Sequence, residues 1–156
     1  MRRSDREITD SAKIREIIEA CHCCRLGFND NGSVYLVPLN FGYEERDGRR
    51  IFYFHGAAQG RKIELIKSTQ EAGFELDTDY QLQEADVACG YTARFQSVIG
   101  TGRVDFIEDD EGKEHALRCI MRHYSGREDW EFPADALHKV TVFKLEVTEI
   151  SCKVHR

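Results

Sequence analysis

The sequence has two prolines in 156 residues and no apolar run that approaches the length of a membrane-spanning helix. A helical span of the bilayer needs about 20 apolar residues, so we do not expect the chain to enter a membrane. The N-terminal segment MRRSDREITD carries arginines without an apolar segment behind them, which argues against a secretory signal. We therefore expect a cytoplasmic location, where the six cysteines would be reduced thiols.

The chain is also acidic overall and lacks a dinucleotide-binding motif. The formal net charge is −6 at pH 7, whereas a general nucleic-acid binder presents a basic face. The GxGxxG pattern of a dinucleotide-binding βαβ unit is absent, so a nicotinamide would bind only transiently. With 41% hydrophobic and 32% charged residues, and no low-complexity segment, residues 1–156 are expected to form one globular domain.

Short apolar runs separated by turn residues predict a mostly antiparallel β protein with flanking helices. Alternating apolar residues predict strands over residues 23–29, 33–43, 50–55, 73–79, 93–106 and 140–147. Helical spacing of apolar residues predicts helices over residues 11–21, 60–67 and 109–124. Such a set of elements favours a small barrel with helices at its ends.

Turn residues and glycines refine this pattern. Asn31-Gly32 and Asp47-Gly48 are hairpin signals. Gly100 and Gly102 interrupt the long strand over residues 93–106, which indicates a bulge or a close approach of another backbone. Residues 78–92 are polar and are predicted to form a loop that reaches over a site.

A basic pair stands where the second predicted helix begins. Arg61 and Lys62 follow Gly56 and Gly60, directly after an apolar strand. A helix N-terminus offers unpaired N–H groups and a partial positive charge, so two cations there suit a phosphate. The alternative is a pair of solvated side chains on the first turn of the helix. A strand wall beside a phosphate site is typical of proteins that bind a flavin or a nucleotide.

Four stretches of the sequence resemble the 5-nitroimidazole resistance proteins, within the pyridoxamine 5′-phosphate oxidase-like flavin-binding split-barrel superfamily. They lie in order between Arg2 and Val104 and read RRSDREITD, RLGFNDNGSVYLVPLNFGYE, IFYFHGAAQGRKIELI and FQSVIGTGRV. The resemblance implies an antiparallel split β-barrel that is mostly β with flanking helices. It further implies a homodimer with a flavin at the subunit interface, FMN by default and FAD as an alternative.

The resemblance also implies which residues contact the flavin. One strand backs the ring, a strand-to-helix segment holds the phosphate, and a third segment approaches the cofactor. The residues concerned are Val37, Pro38, Leu39 and Asn40, then Phe54, His55, Gly56, Gly60, Arg61 and Lys62, then Gln96, Ser97 and Val98. The resistance proteins carry a histidine near the ring at the position of His55. This makes His55 the candidate catalytic residue, able to orient a substrate or donate a proton.

The function that follows is electron transfer from reduced flavin to a small aromatic or nitro substrate, as in the reductive inactivation of nitroimidazoles. The flavin would supply the chemistry and the protein its placement. A haem-binding or haem-handling protein is one alternative, with His55, His115 or His123 as axial ligands. A non-catalytic flavin carrier is another, because one fold hosts many functions.

Two groups of cysteines and histidines have spacings that occur in metal sites. Residues 21–24 (CHCC) have CxxC spacing but no second such pair, so packing of Cys21 and Cys23 in the core is favoured. The second group lies along one side of a predicted helix and consists of His115, Cys119 and His123. No nearby carboxylate pattern completes it, so we predict a mixed polar helix face and no metal site.

Overall fold

The computed structural model describes residues 4–156, and within them eight strands form one antiparallel sheet. The strands are β1 (Glu7–Ile8), β2 (Cys24–Asp30), β3 (Ser33–Leu39), β4 (Gly42–Arg46), β5 (Arg49–Gly56), β6 (Glu71–Gln83), β7 (Thr92–Ile107) and β8 (Thr141–His155). They are ordered β3-β2-β6-β7-β8-β5-β4, and β1 pairs with β8. Arg2 and Arg3, which belong to the first resembling stretch, lie outside the described residues.

Helices flank this sheet, as the sequence predicts. They are α1 (Ser11–Ala20), α2 (Arg61–Thr69), α3 (Asp110–Ser125) and α4 (Ala134–Lys139). Asp10 caps α1 by accepting hydrogen bonds from the N–H groups of Ala12 and Lys13. None of the helices in residues 4–156 is long and apolar enough to cross a membrane.

Both predicted hairpin turns are confirmed. Asn31 and Gly32 have φ values of 53° and 90°, and Asp47 and Gly48 have φ values of 52° and 75°. A two-residue type I′ turn requires positive φ at both central positions, which Asn-Gly and Asp-Gly tolerate best. These turns fix the registers of the β2–β3 and β4–β5 hairpins.

Several predicted boundaries were wrong. The strand expected over residues 33–43 breaks at residues 40–41 into β3 and β4, where the Phe41 N–H donates to the Tyr124 hydroxyl, 3.1 Å away. Residues 78–83, expected to begin a loop, continue β6 after a register shift between Thr78 and Gln81. Most side chains of this extension are exposed. Residues 78–83 therefore lack the alternation of apolar and polar residues from which a strand is predicted.

The two faces of β5 bury different side chains. Phe52 and Phe54 point into the barrel, where they belong to the main hydrophobic core. Ile51 and Tyr53 point outward into a smaller cluster, which α3 covers with Ala116, Cys119 and Ile120. This second cluster places α3 against the outer face of β4 and β5.

Gly100 and Gly102 of β7 allow the close approach that the sequence indicates. A Cβ at Gly100 would lie 2.1 Å from the Glu149 carbonyl oxygen, and one at Gly102 would lie 2.3 Å from a Leu145 methyl carbon. The pairing of β7 with β8 shifts register between Thr101 and Gly102, which confirms the bulge.

Candidate functional site

The first predicted cofactor-binding segment, residues 37–40, lies at the end of the edge strand β3. Val37 and Leu39 are half-buried and pack against the main core. Pro38 and Asn40 are exposed. The segment therefore offers an open strand edge and two outward side chains to a ligand.

The second segment joins the end of β5 to the start of α2. Phe54 is fully buried and stacks on Phe143 with a centroid separation of 5.3 Å. Its side chain belongs to the core, so only its backbone can contact a ligand. His55 is exposed at the strand end, and Gly60 precedes α2 with a φ of 126°, a conformation that glycine adopts most readily.

The two cations of this segment have different surroundings. Arg61 is exposed, and its guanidinium donates to both carboxylate oxygens of Asp30 and to Glu64. Lys62 is half-buried, with its Nζ 5.6 Å from the Phe143 ring centroid. Within residues 4–156 no carboxylate forms an ion pair with Lys62, and burial lowers its pKa. Sequence reasoning treated the two residues alike, whereas only Lys62 is left without a counter-ion.

The third segment, residues 96–98, lies near the start of β7. Val98 is fully buried opposite Cys152 and Leu76, so its side chain also belongs to the core. Ser97 is half-buried, and the Gln96 side-chain amide donates to Asp79 over 3.2 Å.

The second and third segments line different surface cavities of a single chain. Among five surface cavities of residues 4–156, Arg61 lines one and Gln96 lines another, and none joins two of the segments.

Of the three histidines considered as haem ligands, His55 is the one whose side chain is least engaged within the described residues. It has no hydrogen-bond partner among the described residues, and strand alternation places it on the outer face of β5 with Tyr53. Partial desolvation, and secondly the charge of Lys62, lower the pKa of its imidazole. At neutral pH His55 is therefore a neutral donor and acceptor more than a cation.

The other two candidate haem ligands are already engaged. His123 donates from Nε2 to the Cys21 carbonyl oxygen, 2.7 Å away, and its ring lies 4.3 Å from that of Phe41. His115 Nε2 lies 2.9 Å from Glu44 Oε1. Each of these contacts would have to break before the Nε2 atom of that ring could ligate an iron.

We expect His123 to make the stability of the protein depend on pH. Burial lowers the pKa of its ring, and the Cys21 carbonyl offsets this only in part. The folded chain then binds fewer protons than the unfolded chain, whose histidine pKa is about 6.5. The stabilisation is therefore full above that value and is lost as the pH falls through the folded pKa.

Urea unfolding at about pH 7.5 and about pH 5.5 checks this, on either side of the ordinary histidine pKa. The wild-type protein should lose more free energy of unfolding than His123→Gln, which keeps a neutral N–H donor for the Cys21 carbonyl. Equal losses in the two proteins would contradict the assignment.

The cysteine cluster packs differently from the prediction. Cys21 and Cys24 are buried, while Cys23, expected in the core, is only half-buried. Burial raises the pKa of the Cys21 thiol to about 12, so it is unreactive at neutral pH. The strand begins at Cys24, and this register turns Cys24 inward in place of Cys23.

Sequence reasoning missed one neighbour of the α3 cluster. Glu44 of β4 contacts His115, although 71 positions separate them in sequence, and the Tyr53 hydroxyl donates to the same carboxylate. Only the tertiary packing of α3 on β4 brings these groups together. No local sequence pattern could have shown it.

The chain is similar to a known protein family and to several solved structures. The family model for pyridoxamine 5′-phosphate oxidase matches residues 10–154. A structure from Bacteroides thetaiotaomicron, described as a candidate 5-nitroimidazole antibiotic resistance protein, is 34% identical with a TM-score of 0.82, covering 95% of this chain and 86% of that one. No match to a curated protein reaches significance.

Two more distant structures share the fold. The flavocytochrome Anf3 from Azotobacter vinelandii has a TM-score of 0.81 at 24% identity, covering 100% of this chain and 72% of that one. The FAD and haem binding protein from Mycobacterium smegmatis has a TM-score of 0.82 at 15% identity, covering 97% of this chain and 74% of that one.

The sheet order and these similarities define a split barrel of the pyridoxamine 5′-phosphate oxidase-like fold. The chain belongs to the pyridoxamine 5′-phosphate oxidase-like family, as the matching family model over residues 10–154 shows. The resemblance and the fold class predicted from the sequence are thereby confirmed.

Proposed function

We propose that the protein binds FMN between two copies of the chain and transfers electrons from the reduced flavin to a small aromatic or nitro substrate. Family membership and the 34% identity to the Bacteroides protein support this assignment. The observation that carries it is the half-buried cation Lys62 at the start of α2.

The surroundings of Lys62 fit a phosphate group. Gly60, the residue before α2, provides no side-chain cap, so the first N–H groups of this helix are available to an anion. A Cβ at Gly56 would lie 2.8 Å from Lys62 Nζ, so glycine there leaves room for the ammonium group. An anion would compensate the desolvated charge of Lys62. Arg61, neutralised by Asp30 and Glu64, would contribute less.

The exposed apolar side chains of the sheet support a homodimer. Val34, Leu36 and Ile99 are 75%, 67% and 52% exposed. Gly27 pairs with Leu36 and Gly73, so Leu36 has no side chain beside it on the two neighbouring strands. Ile99 lies in the next row of the same face, beside Glu75 and Arg25. Val34 and Leu36 project from the same face of the edge strand β3, and exposed apolar side chains grouped in this way favour cover by a partner. A second copy is the partner that would also complete the divided cofactor site.

If Leu36 lies in the dimer interface, a charged side chain at this position should prevent dimerisation. Leu36→Asp should convert the protein to a monomer, because a carboxylate buried in the interface would lack a partner. Analytical ultracentrifugation measures the result. Ala134→Asp, which adds the same charge to an exposed position of α4, is the matched control. A Leu36→Asp protein that sediments as a dimer would place the interface elsewhere.

Separate segments of the chain would bind the phosphate, contact the flavin ring and orient the substrate. Lys62 and the start of α2 would hold the phosphate, and the end of β3 would back the ring. When bound, the flavin supplies the redox chemistry. His55, neutral at the end of β5, would orient the substrate by hydrogen bonding and could donate a proton as the pH falls.

Anaerobic reoxidation tests the reductase assignment. The FMN-loaded protein is reduced chemically and then mixed with a nitroimidazole, with free reduced FMN as the control. We expect the oxidised flavin absorbance to return faster on the protein, with loss of the nitro compound. Reoxidation no faster than that of free FMN would instead favour a flavin carrier.

A further inference from the structure

We propose that Glu44, His115 and Cys119 bind a divalent cation of the zinc type. The site lies between β4 and α3, and it is separate from the residues assigned to the flavin. It revises the sequence prediction that no metal site exists. The proposal does not depend on the proposed reductase function.

The three candidate ligand atoms lie close together. One atom from each of the three residues lies within 4.8 Å of the other two. His115 Nε2 is 2.9 Å from Glu44 Oε1 and 3.7 Å from Cys119 Sγ. A zinc ion holds nitrogen, oxygen and sulfur at about 2.0–2.3 Å, so tetrahedral ligands lie about 3.5 Å apart. To hold an ion, His115 Nε2 and Glu44 Oε1 would move apart by about half an ångström, and any pair near the 4.8 Å limit would approach by about 1 Å.

The contacts of the His115 ring argue against a relay in which His115 would take a proton from the Cys119 thiol. In a Cys–His–carboxylate relay the carboxylate and the thiol contact opposite nitrogens of the imidazole. Here Glu44 and Cys119 both face Nε2 of His115. This arrangement suits a shared cation better than a proton transfer from the thiol.

The fold builds the site through Gly42. A Cβ at Gly42 would lie 2.5 Å from the Ile120 nitrogen and 2.6 Å from the Cys119 carbonyl carbon. Only glycine lets β4 approach the α3 backbone this closely. Glu44, two residues further on, points to the same face of the strand. His115 and Cys119 are one helical turn apart, so both side chains lie on the side of α3 that faces Glu44.

A supporting residue already orients two of the ligands. The Tyr53 hydroxyl donates to Glu44 Oε1 over 2.5 Å. The Tyr53 and His115 rings meet edge to face, with centroids 5.7 Å apart. Residues behind the ligands commonly hold metal-binding side chains in this way.

The exposure of the ligands indicates an ion reached from solvent. Cys119 is 3% exposed, while the side chains of Glu44 and His115 are 16% and 46% exposed. Three protein ligands and an open fourth position for water are typical of catalytic zinc sites.

The charge of the adjoining cleft favours a cation. Six carboxylates line it, from Glu44, Glu45, Asp105, Glu108, Asp109 and Glu111. They face two basic residues in the same cleft, Arg46 and Lys144. Arg122, 3.9 Å from Cys119 Sγ, opposes a cation, but its guanidinium is held by Glu128 and the Tyr43 carbonyl. A net acidic cleft raises the local concentration of divalent ions.

Calorimetric titration of the full chain with Zn²⁺, after removal of metals by a chelator, tests the site. We expect one ion per chain, with and without added FMN. His115→Ala should weaken binding by more than about 100-fold, since even supporting residues contribute 10- to 100-fold. Because His115 is exposed, this variant should fold, and circular dichroism verifies it. Tyr53→Phe should weaken binding by about 10- to 100-fold.

Two controls separate this site from other thiols. The His22→Ala/Cys23→Ala double variant and Cys89→Ala should each bind Zn²⁺ as the wild type does. With Co²⁺ as the probe, a thiolate charge-transfer band should appear in the wild type and be absent in Cys119→Ser. Undetectable Zn²⁺ binding, equal binding by His115→Ala, or loss only in the His22/Cys23 variant would each overturn the proposal.

Discussion

Replacing Phe52 by alanine should lower the free energy of unfolding by about 3–5 kcal/mol, the usual cost of removing a buried phenylalanine. Phe52 is fully buried at the centre of the barrel. Four aromatic rings surround it at centroid distances of 5.0 to 6.4 Å, those of Phe41, Tyr43, Phe54 and Phe74. Because strands carry three of these rings and Phe41 lies directly before β4, we expect the barrel not to collapse into the space that the substitution leaves.

Denaturant unfolding measures this loss, and an unchanged denaturant dependence would show that the unfolded state is unaffected. Phe132→Ala removes the same ring from a half-buried position outside both hydrophobic clusters. It should cost about 1 kcal/mol or less. A similar loss in both variants would show that Phe52 is not central to the core.

Lys62→Met should weaken FMN binding by about 10- to 150-fold. This range corresponds to about 1.5–3 kcal/mol, the usual contribution of a hydrogen bond to a charged group. Lys62 is half-buried without a carboxylate partner in the described chain, so its charge is available to a phosphate. Arg61→Met should cost less, because Asp30 and Glu64 already neutralise Arg61.

Riboflavin, which lacks the phosphate, provides the comparison. Fluorescence titrations should show that Lys62→Met weakens FMN binding but leaves riboflavin binding nearly unchanged. Lys67→Met removes the same charge from the last turn of α2 and should leave FMN binding near that of the wild type. A phosphate site elsewhere would be indicated if Lys62→Met and the wild type favoured FMN over riboflavin equally.

Local signals in the sequence predicted the parts of the fold that local chemistry determines. Asn31-Gly32 and Asp47-Gly48 form turns because few other pairs accept positive φ at both positions. Gly100 was predicted to mark a close approach and does so, because a Cβ there would collide with β8. The helix over residues 11–20 was found from the spacing of its buried isoleucines.

Features that depend on tertiary packing could not be predicted. Arg61 and Lys62 look equivalent in sequence, and only the position of Asp30 shows that one of them is neutralised. Glu44 completes the cluster on α3 because Gly42 lets β4 lie against that helix. Helix α4 has six residues, too few for apolar spacing to identify.

The visible absorption spectrum of the freshly purified protein tests FMN binding most directly. We expect the two bands of an oxidised flavin, and we expect the pigment released by denaturation to be FMN at one molecule per chain. A single intense haem band would contradict this account and direct attention to His55 as an iron ligand. A colourless protein that also fails to take up added FMN would contradict the cofactor assignment itself.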